Sequence, residues 1–135
     1  MARKTAREKL DNGKLPEVCD IDEAKSARFQ GARTMLIPTP RQVQAAIAQI
    51  PSGQTKTNQE LRLDLAKAAG ADTTCPLCLG IFWRLVAEAA EEERADGAEE
   101  VTPWWRVTKD GKLNPKMPGG EERHRALLLA EGVQI

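Results

Sequence analysis

Apolar residues recur at helical spacing in the central part of the chain, beginning after residue 40. The first such stretch has the apolar positions Val43, Ala46, Ile47 and Ile50. It follows Thr39-Pro40-Arg41-Gln42, a capping box in which the threonine and glutamine side chains can each bond the other residue's backbone N–H. The pattern therefore predicts an amphipathic helix that ends at Pro51-Ser52-Gly53.

Two further helices are predicted after this one. A second capping box, Thr57-Asn58-Gln59-Glu60, begins a helix with Leu61, Leu65 and Ala68 facing inward, and Gly70 closes it. A third helix begins at residue 73, 74 or 75 and continues to about Arg94. Its apolar positions are Leu77, Ile81, Leu85, Val86 and Ala89. Two helices joined by a short turn predict a helix-turn-helix arrangement.

The C-terminal part of the chain predicts a strand, a turn and a helix. Residues 103–107 are predicted as a short strand, Lys109-Asp110-Gly111 as a tight turn, and residues 121–130 as a closing helix after Gly119-Gly120. The buried stripe of this helix is predicted at Ala126, Leu127 and either Leu129 or Ala130. The fold class is therefore mainly α with a small β-hairpin.

The adjacent indoles of Trp104 and Trp105 are costly to leave in water. Each indole has a large apolar surface and one N–H donor. Such a pair is predicted to be a core anchor or a wedge against a flat ligand.

Residues 1–34 lack a sustained apolar period and are dense in alternating charge. They contain Asn12-Gly13 and Pro16, so we predict a charged arm that is extended or partly helical, followed by a folded domain over residues 35–135. A few apolar residues could dock on that domain: Leu10, Leu15, Val18, Ile21 and Phe29. A solvated tail is favoured over an arm that grips DNA, because acidic residues interrupt the basic ones.

The length and the net charge of the chain limit the classes of function that it can have. The 135 residues suit one modest core, and the twenty basic and twenty acidic residues cancel. Zero net charge weighs against tight nonspecific binding to DNA, which depends on counterion release by Lys and Arg. The chain has no long apolar run and no signal-peptide pattern. We therefore expect a cytoplasmic monomer without a membrane association.

Cys75-Pro76-Leu77-Cys78 offers a competing chemistry. A Cys-x-x-Cys at a helix start lowers the pKa of the first thiol through the helix dipole, as thiol-disulfide exchange requires. That motif normally follows a strand, whereas the chain before Cys75 is predicted to be helical, so two buried structural thiols are favoured. A zinc site would need Cys19 and His124, which are distant in sequence. A surface position is predicted for His124 among its charged neighbours.

Two segments resemble the alkylguanine-DNA alkyltransferases over roughly residues 37–133. One is Ile50-Pro51-Ser52-Gly53 with Glu60-Leu61, and the other runs from Pro103 to Val133. The matching positions in the second segment are Pro103, Arg106, Val107, Gly119, Gly120, Glu131, Gly132 and Val133. The resemblance implies a winged-helix-like helix-turn-helix domain, as in the C-terminal domain of that family.

The reactive positions of the family are replaced in this chain. The nucleophilic cysteine falls on Trp104 and its activating histidine on Trp105, so the resemblance implies a protein that does not transfer alkyl groups. Alkyltransferase-like proteins also have tryptophan at the cysteine position, but they keep the histidine. The family's phosphate-rotating tyrosine falls on Asn58, and its arginine finger on Leu77 or Pro76. Leu77 is interpreted as core in preference to an intercalating wedge.

The resemblance implies a non-catalytic protein that binds duplex DNA or senses damage, without a cofactor or a metal and with another repair protein as a candidate partner. The former active-site pocket would be formed by Trp104, Trp105, Arg106, Met117, Pro118, Gly119 and Glu131. The candidate DNA contacts are Lys56, Asn58, Thr74, Leu77, Arg84, Lys109 and Lys112.

Glu131 is predicted to accept from an indole N–H or to pair with Arg106; a helix end capped by water is the alternative. Two other functions stay open: an interaction module that has lost DNA binding, and a thiol redox protein using Cys75 and Cys78.

Overall fold

A computed structural model describes residues 5–11 and 13–135. The helices are α1 (Ala6–Lys9), α2 (Glu23–Ser26), α3 (Pro40–Ala48), α4 (Asn58–Ala69), α5 (Pro76–Ala95) and α6 (Gly120–Ala130). The strands are β1 (Glu17–Asp20), β2 (Thr34–Ile37), β3 (Lys56–Thr57), β4 (Thr73–Thr74) and β5 (Val107–Thr108). Short 3-10 turns cover Ala27–Phe29 and Trp104–Arg106. The predicted mainly helical class is confirmed. Asn12, part of the predicted Asn12-Gly13 break, lies outside the described residues.

The two predicted capping boxes are present. Gln42 N donates to Thr39 Oγ1 over 3.2 Å, and Thr39 N donates to Gln42 Oε1 over 3.0 Å. Thr57 and Glu60 repeat this exchange at the start of α4. Gly70 closes α4 with a φ of 73°, a left-handed conformation that glycine adopts without a steric cost. Local chemistry therefore sets the ends of these helices.

Helix α5 is the central element, and α1, α3, α4 and the 3-10 turn of residues 104–106 all pack against it. Its buried face includes Leu79, Trp83, Val86 and Ala90. The exposed fractions of Leu77 and Ile81 are 70% and 55%, so the prediction that both lie in the core is wrong. The helical period carries these two residues to the opposite side of α5, which stays largely exposed.

The buried stripe of α6 also differs from the prediction. His124 and Leu128 are fully buried and Leu127 is half-buried, whereas Ala126, Leu129 and Ala130 are exposed. The reason is that α6 packs on the tryptophan pair, and a ring at position 124 contacts Trp104 with 5.4 Å between centroids. A polar residue thus takes the central core position of this helix.

Two small sheets lie among the helices. In the first sheet, β1 pairs antiparallel with β2, and β2 pairs in parallel with β4. In the second, β3 pairs in parallel with β5. The predicted strand over residues 103–107 is corrected, since residues 104–106 form a 3-10 turn and only Val107–Thr108 is extended.

The predicted turn after β5 is present. Lys109 and Lys112 exchange backbone hydrogen bonds of 2.8 and 3.0 Å around Asp110-Gly111. Both central residues have a positive φ, 54° and 86°, as a type I′ turn requires. We call residues 107–112 the hairpin.

The described part of residues 1–34 contributes to the fold. The backbone N–H groups of Ala6 and Arg7 donate to the Glu92 carboxylate on α5 over 2.8 and 3.2 Å, and Leu10 is 1% exposed. Leu15 and Val18 stay exposed. This segment is therefore not a uniformly solvated tail, because α1 is packed and β1 is paired. No helix within residues 5–11 and 13–135 is long and apolar enough to cross a membrane.

We expect Leu10→Ala to lower the free energy of unfolding by about 2–5 kcal/mol, because it deletes a buried leucine side chain. Leu15→Ala is the matched control, and we expect a change within about 0.5 kcal/mol because that side chain is 83% exposed. Urea unfolding measures both. Equal stabilities for the two variants would show that α1 does not contribute to the cooperative unit.

Candidate nucleic-acid interface

Trp104 is a core anchor. Its side chain is fully buried and meets Trp105 edge to face, with 6.0 Å between ring centroids. Its Nε1 donates to Glu91 Oε1 over 3.3 Å, and its carbonyl accepts from Trp83 Nε1 over 3.0 Å. With its surface covered and its N–H satisfied, Trp104 lines no opening. Its expected position in the wall of an open pocket is corrected accordingly.

Glu131 joins three parts of the chain through its carboxylate. It accepts from Trp105 Nε1 over 2.9 Å, from Arg106 Nε over 3.0 Å and from Ser52 Oγ over 3.1 Å. Arg106 also donates from Nη1 to the Ile50 carbonyl over 2.7 Å. The Arg106 hydrogen bond is the main cause that holds the pKa of Glu131 below its usual value. Glu131 therefore makes both predicted contacts, and it ties the loop after α3 to the C-terminus.

His124 is a buried neutral base, so the prediction of a surface histidine is wrong. Asn114 N donates to its Nδ1 over 3.2 Å, which makes Nε2 the protonated nitrogen, and Nε2 donates to the Trp105 carbonyl over 2.9 Å. Burial lowers the pKa of His124 below its usual value. Both ring nitrogens are occupied by backbone groups, so His124 does not act as a base toward a ligand.

An open groove of about 390 Å³ lies along the exposed side of α5, and we call it the α5 groove. It brings together five residues predicted from the sequence as pocket or DNA contacts. They are Asn58, Leu77, Arg84, Lys109 and Met117. The groove therefore places the start of α4, the first half of α5, the hairpin and the loop before α6 around one opening.

Other residues of this groove were not predicted from the sequence. Arg62, Ile81, Trp83, Asn114 and Lys116 complete much of its lining. Ile81 lies four residues after Leu77 and Arg62 four residues after Asn58, so helical spacing from the predicted contacts was the signal that could have found them. No local signal marks Lys116 and Asn114, because the loop before α6 reaches the groove only through the tertiary fold.

Several predicted contacts lie elsewhere. Thr74 is fully buried; its Oγ1 donates to the Arg62 carbonyl over 2.7 Å, so its role is structural. Lys56 pairs with Asp64 and lines a separate hollow between α3 and α4. Lys112 is exposed in the hairpin turn. Trp105 and Arg106 border a recess with Arg94 and Pro103 instead of the α5 groove.

Two predicted pocket residues that follow Met117 in the chain, Pro118 and Gly119, do not line the α5 groove as Met117 does. Pro118 is half-buried, and Gly119 is the N-cap residue of α6 with a φ of 80°. A Cβ at Gly119 would lie 2.5 Å from Arg123 Cβ, so this position needs glycine for space as well as conformation.

The two cysteines of the Cys75–Cys78 motif are free thiols at the start of α5. Contrary to the prediction of a preceding helix, β4 lies immediately before Cys75 and pairs in parallel with β2. Cys75 is the N-cap residue, and its Sγ accepts from Cys78 N over 3.4 Å. Burial raises the pKa of the Cys78 thiol to about 11. A redox role stays a prediction.

Cys19 is exposed on β1, whereas His124 is in the core. Across residues 5–11 and 13–135, no group of three or more His, Cys, Asp or Glu side chains could hold a metal ion.

We expect stability to fall as the pH is lowered below about 6.5, because the unfolded chain then binds a proton that buried His124 takes up only at lower pH. The slope is at most about 1.4 kcal/mol per pH unit for one group. Urea unfolding between pH 7 and pH 5 measures it. His124→Gln keeps a donor and an acceptor but cannot titrate, so the same slope in that variant would contradict the assignment.

The part of the chain that contains the α5 groove matches a known protein family. The family model described as "6-O-methylguanine DNA methyltransferase, DNA binding domain" matches residues 38–133, which include α3 to α6 and the whole α5 groove. A search of the curated proteins finds no match. Because this match spans well over half of the chain, the protein belongs to the 6-O-methylguanine DNA methyltransferase DNA-binding domain family.

Proposed function

We propose that this protein binds duplex DNA through the α5 groove and does not transfer alkyl groups. The observation that carries the proposal is the pair of exposed apolar side chains, Leu77 and Ile81, on the first half of the central helix. They lie one turn apart between cationic groups, in a domain whose family binds DNA. This combination fits a surface that reads a duplex by shape and backbone contact.

The charges around the groove suit a phosphate backbone. Arg84 and Lys116 line it, and Lys109 approaches from the hairpin. Arg84 pairs with Glu88 over 2.9 Å, but its side chain is more than half exposed, so a phosphate can compete for it. These groups would position the protein on the duplex without specifying a sequence.

Leu77 has the shape and exposure of a wedge. Proteins that bend or open DNA often insert an apolar side chain between base steps, which unstacks them at a cost of a few kcal/mol. At 70% exposure, Leu77 can bury most of its surface against bases while the fold stays unchanged. The resemblance puts the family's arginine finger at Leu77 or Pro76.

The absence of alkyl transfer is supported by the chemistry of the groups present. Trp104, at the position of the family's nucleophile, is enclosed and has no nucleophilic sulfur. Cys78 lies near the groove, but a thiol with a raised pKa is almost entirely protonated at neutral pH and is a poor nucleophile. His124 is bonded on both nitrogens and is not available to activate a thiol.

We expect no covalent change when the protein is incubated with a duplex that contains O6-methylguanine, because no cysteine is among the described residues that line the groove. Intact-protein mass spectrometry measures the result, with an active alkyltransferase as the positive control. A mass increase of one methyl group on this protein would refute the non-catalytic assignment.

We expect Leu77→Ala to weaken duplex binding by about tenfold or more. Burying a leucine side chain contributes about 1.5–3 kcal/mol, and each 1.4 kcal/mol is a factor of ten in affinity. Fluorescence anisotropy with a labelled duplex at low salt measures it, with and without a modified guanine. Leu129→Ala, a half-exposed leucine on α6, is the matched control and should bind like the wild type.

The possible outcomes of that titration separate the hypotheses. Binding that is unchanged in Leu77→Ala would exclude the wedge but keep the DNA surface. A wild-type protein that is folded and yet binds no duplex at low salt would favour an interaction module instead. Trp104→Ala is a poor probe for this purpose, because loss of a fully buried tryptophan costs about 3–5 kcal/mol of stability.

A further inference from the structure

A second, smaller pocket adjoins the α5 groove and is built partly by the N-terminal segment. It has a volume of about 170 Å³ and lies between the 3-10 turn of residues 27–29 and helix α4. Arg28 and Gln30 form one side, and Gln59, Arg62 and Thr73 form the other. We call it the Arg28–Arg62 pocket. Arg28 and Gln30 lie outside residues 38–133, so the family match does not account for this pocket.

The pocket contains two arginines that make no ion pair with any described residue. Within the part of the chain that the structure describes, no carboxylate lies within 4.0 Å of the side-chain nitrogens of Arg28 or Arg62. By contrast, Arg7, Arg41 and Arg106 are each paired with an acid. Two like charges at one opening, both uncompensated, favour an anion there.

Arg62 is held in place for such a contact. Its Nε donates to the Thr74 carbonyl over 3.0 Å, and its Nη2 donates to Thr73 Oγ1 over 3.2 Å. These bonds fix the plane of the guanidinium between the pocket and the α5 groove, both of which it lines. Burial lowers the pKa of Arg62, and a neighbouring anion would offset that loss of solvation.

The pocket is in line with the proposed DNA surface. Gln59 Nε2 donates to Asp110 Oδ1 over 3.1 Å, and Asp110 N donates to Asn58 Oδ1 over 3.1 Å. These bonds join the hairpin to the start of α4, and Arg62 follows one turn later. The hairpin is therefore joined to the start of α4, and Arg62 on the same helix lines both the Arg28–Arg62 pocket and the α5 groove that contains Leu77.

We propose that the Arg28–Arg62 pocket binds a backbone phosphate of the duplex, so that the N-terminal segment extends the DNA contact beyond the family domain. Arg28 and Arg62 supply the charge, and the Gln30 amide supplies a further donor. The proposal rests on the proposed function, because it names an additional contact of the same DNA surface.

The test compares Arg28→Gln with Arg7→Gln in duplex binding at several salt concentrations. Both variants remove one exposed arginine from the N-terminal segment. Arg7 pairs with Asp96 at the far end of α5, roughly 30 Å from Cys75 by the rise of a 20-residue helix. We expect Arg28→Gln to weaken binding several-fold and to lower the slope of log K against log salt by about 1. Arg7→Gln should match the wild type.

A second measurement distinguishes a duplex phosphate from free phosphate. NMR signals of the Arg28 and Arg62 Nε–H groups are followed in the wild-type protein during titration with inorganic phosphate and, separately, with the duplex. We expect both signals to shift with the duplex and little change with phosphate at the same concentration.

Three results of these measurements would overturn the proposed phosphate site. An unchanged salt slope in Arg28→Gln, with wild-type DNA binding intact, would overturn this proposal and leave the proposed function standing. Saturation by millimolar inorganic phosphate together with that unchanged slope would make the pocket a free-anion site, which also overturns it. If the wild type binds no duplex at low salt, the proposed function and this inference fail together.

Discussion

The architecture depends on one carboxylate that is held by several donors. Glu131 accepts from Trp105, Arg106 and Ser52, and so it fixes the C-terminus, the 3-10 turn and the loop after α3 relative to one another. Both Glu131 and Arg106 are largely buried, with about 15% of each side chain exposed. Loss of one partner would leave the other charge desolvated, which typically costs about 3–5 kcal/mol. These bonds fix the 3-10 turn of residues 104–106, so that Trp104 and Trp105 pack against α5 and α6.

The packing of the tryptophans determines which side of α5 stays open. Trp83 and Val86 face the core that Trp104 completes, and the opposite side of the first two turns borders the open α5 groove. Leu77 and Ile81 are therefore exposed by the geometry of the helix, at the point where the hairpin and the loop before α6 converge. Contiguous exposed apolar side chains often mark an interaction site, and this part of α5 is the surface that we propose binds DNA.

The family's domain is present in this chain, and the resemblance puts the family's nucleophile at Trp104, which is a buried structural side chain here. The indole at position 104 has about the largest apolar volume that a residue can supply, and its N–H donates to Glu91. His124, the one histidine in the sequence, is used for packing and for two backbone hydrogen bonds. The polar groups around the tryptophan pair are thus bonded within the fold, and this bonding supports the proposal of a protein that binds DNA without alkyl transfer.

The sequence by itself determined the features that act over a few residues. The capping boxes at Thr39 and Thr57, the glycine stop at Gly70 and the Asp110-Gly111 turn were all predictable, because each depends on bonds within a single turn. The pairing of Glu131 with Arg106 also followed, but only through the resemblance to the alkyltransferases.

Only the tertiary structure decided which faces are covered. Leu77 and Leu79 differ little in sequence context, yet one is exposed and the other is buried, because cover comes from segments far along the chain. The same holds for His124, which is buried by a tryptophan pair, and for Ala6, whose backbone N–H bonds to a carboxylate 86 positions away. Burial and ion pairing depend on segments that are distant in sequence. The local pattern therefore predicts the helices, but it does not predict which residues pack against each helix face.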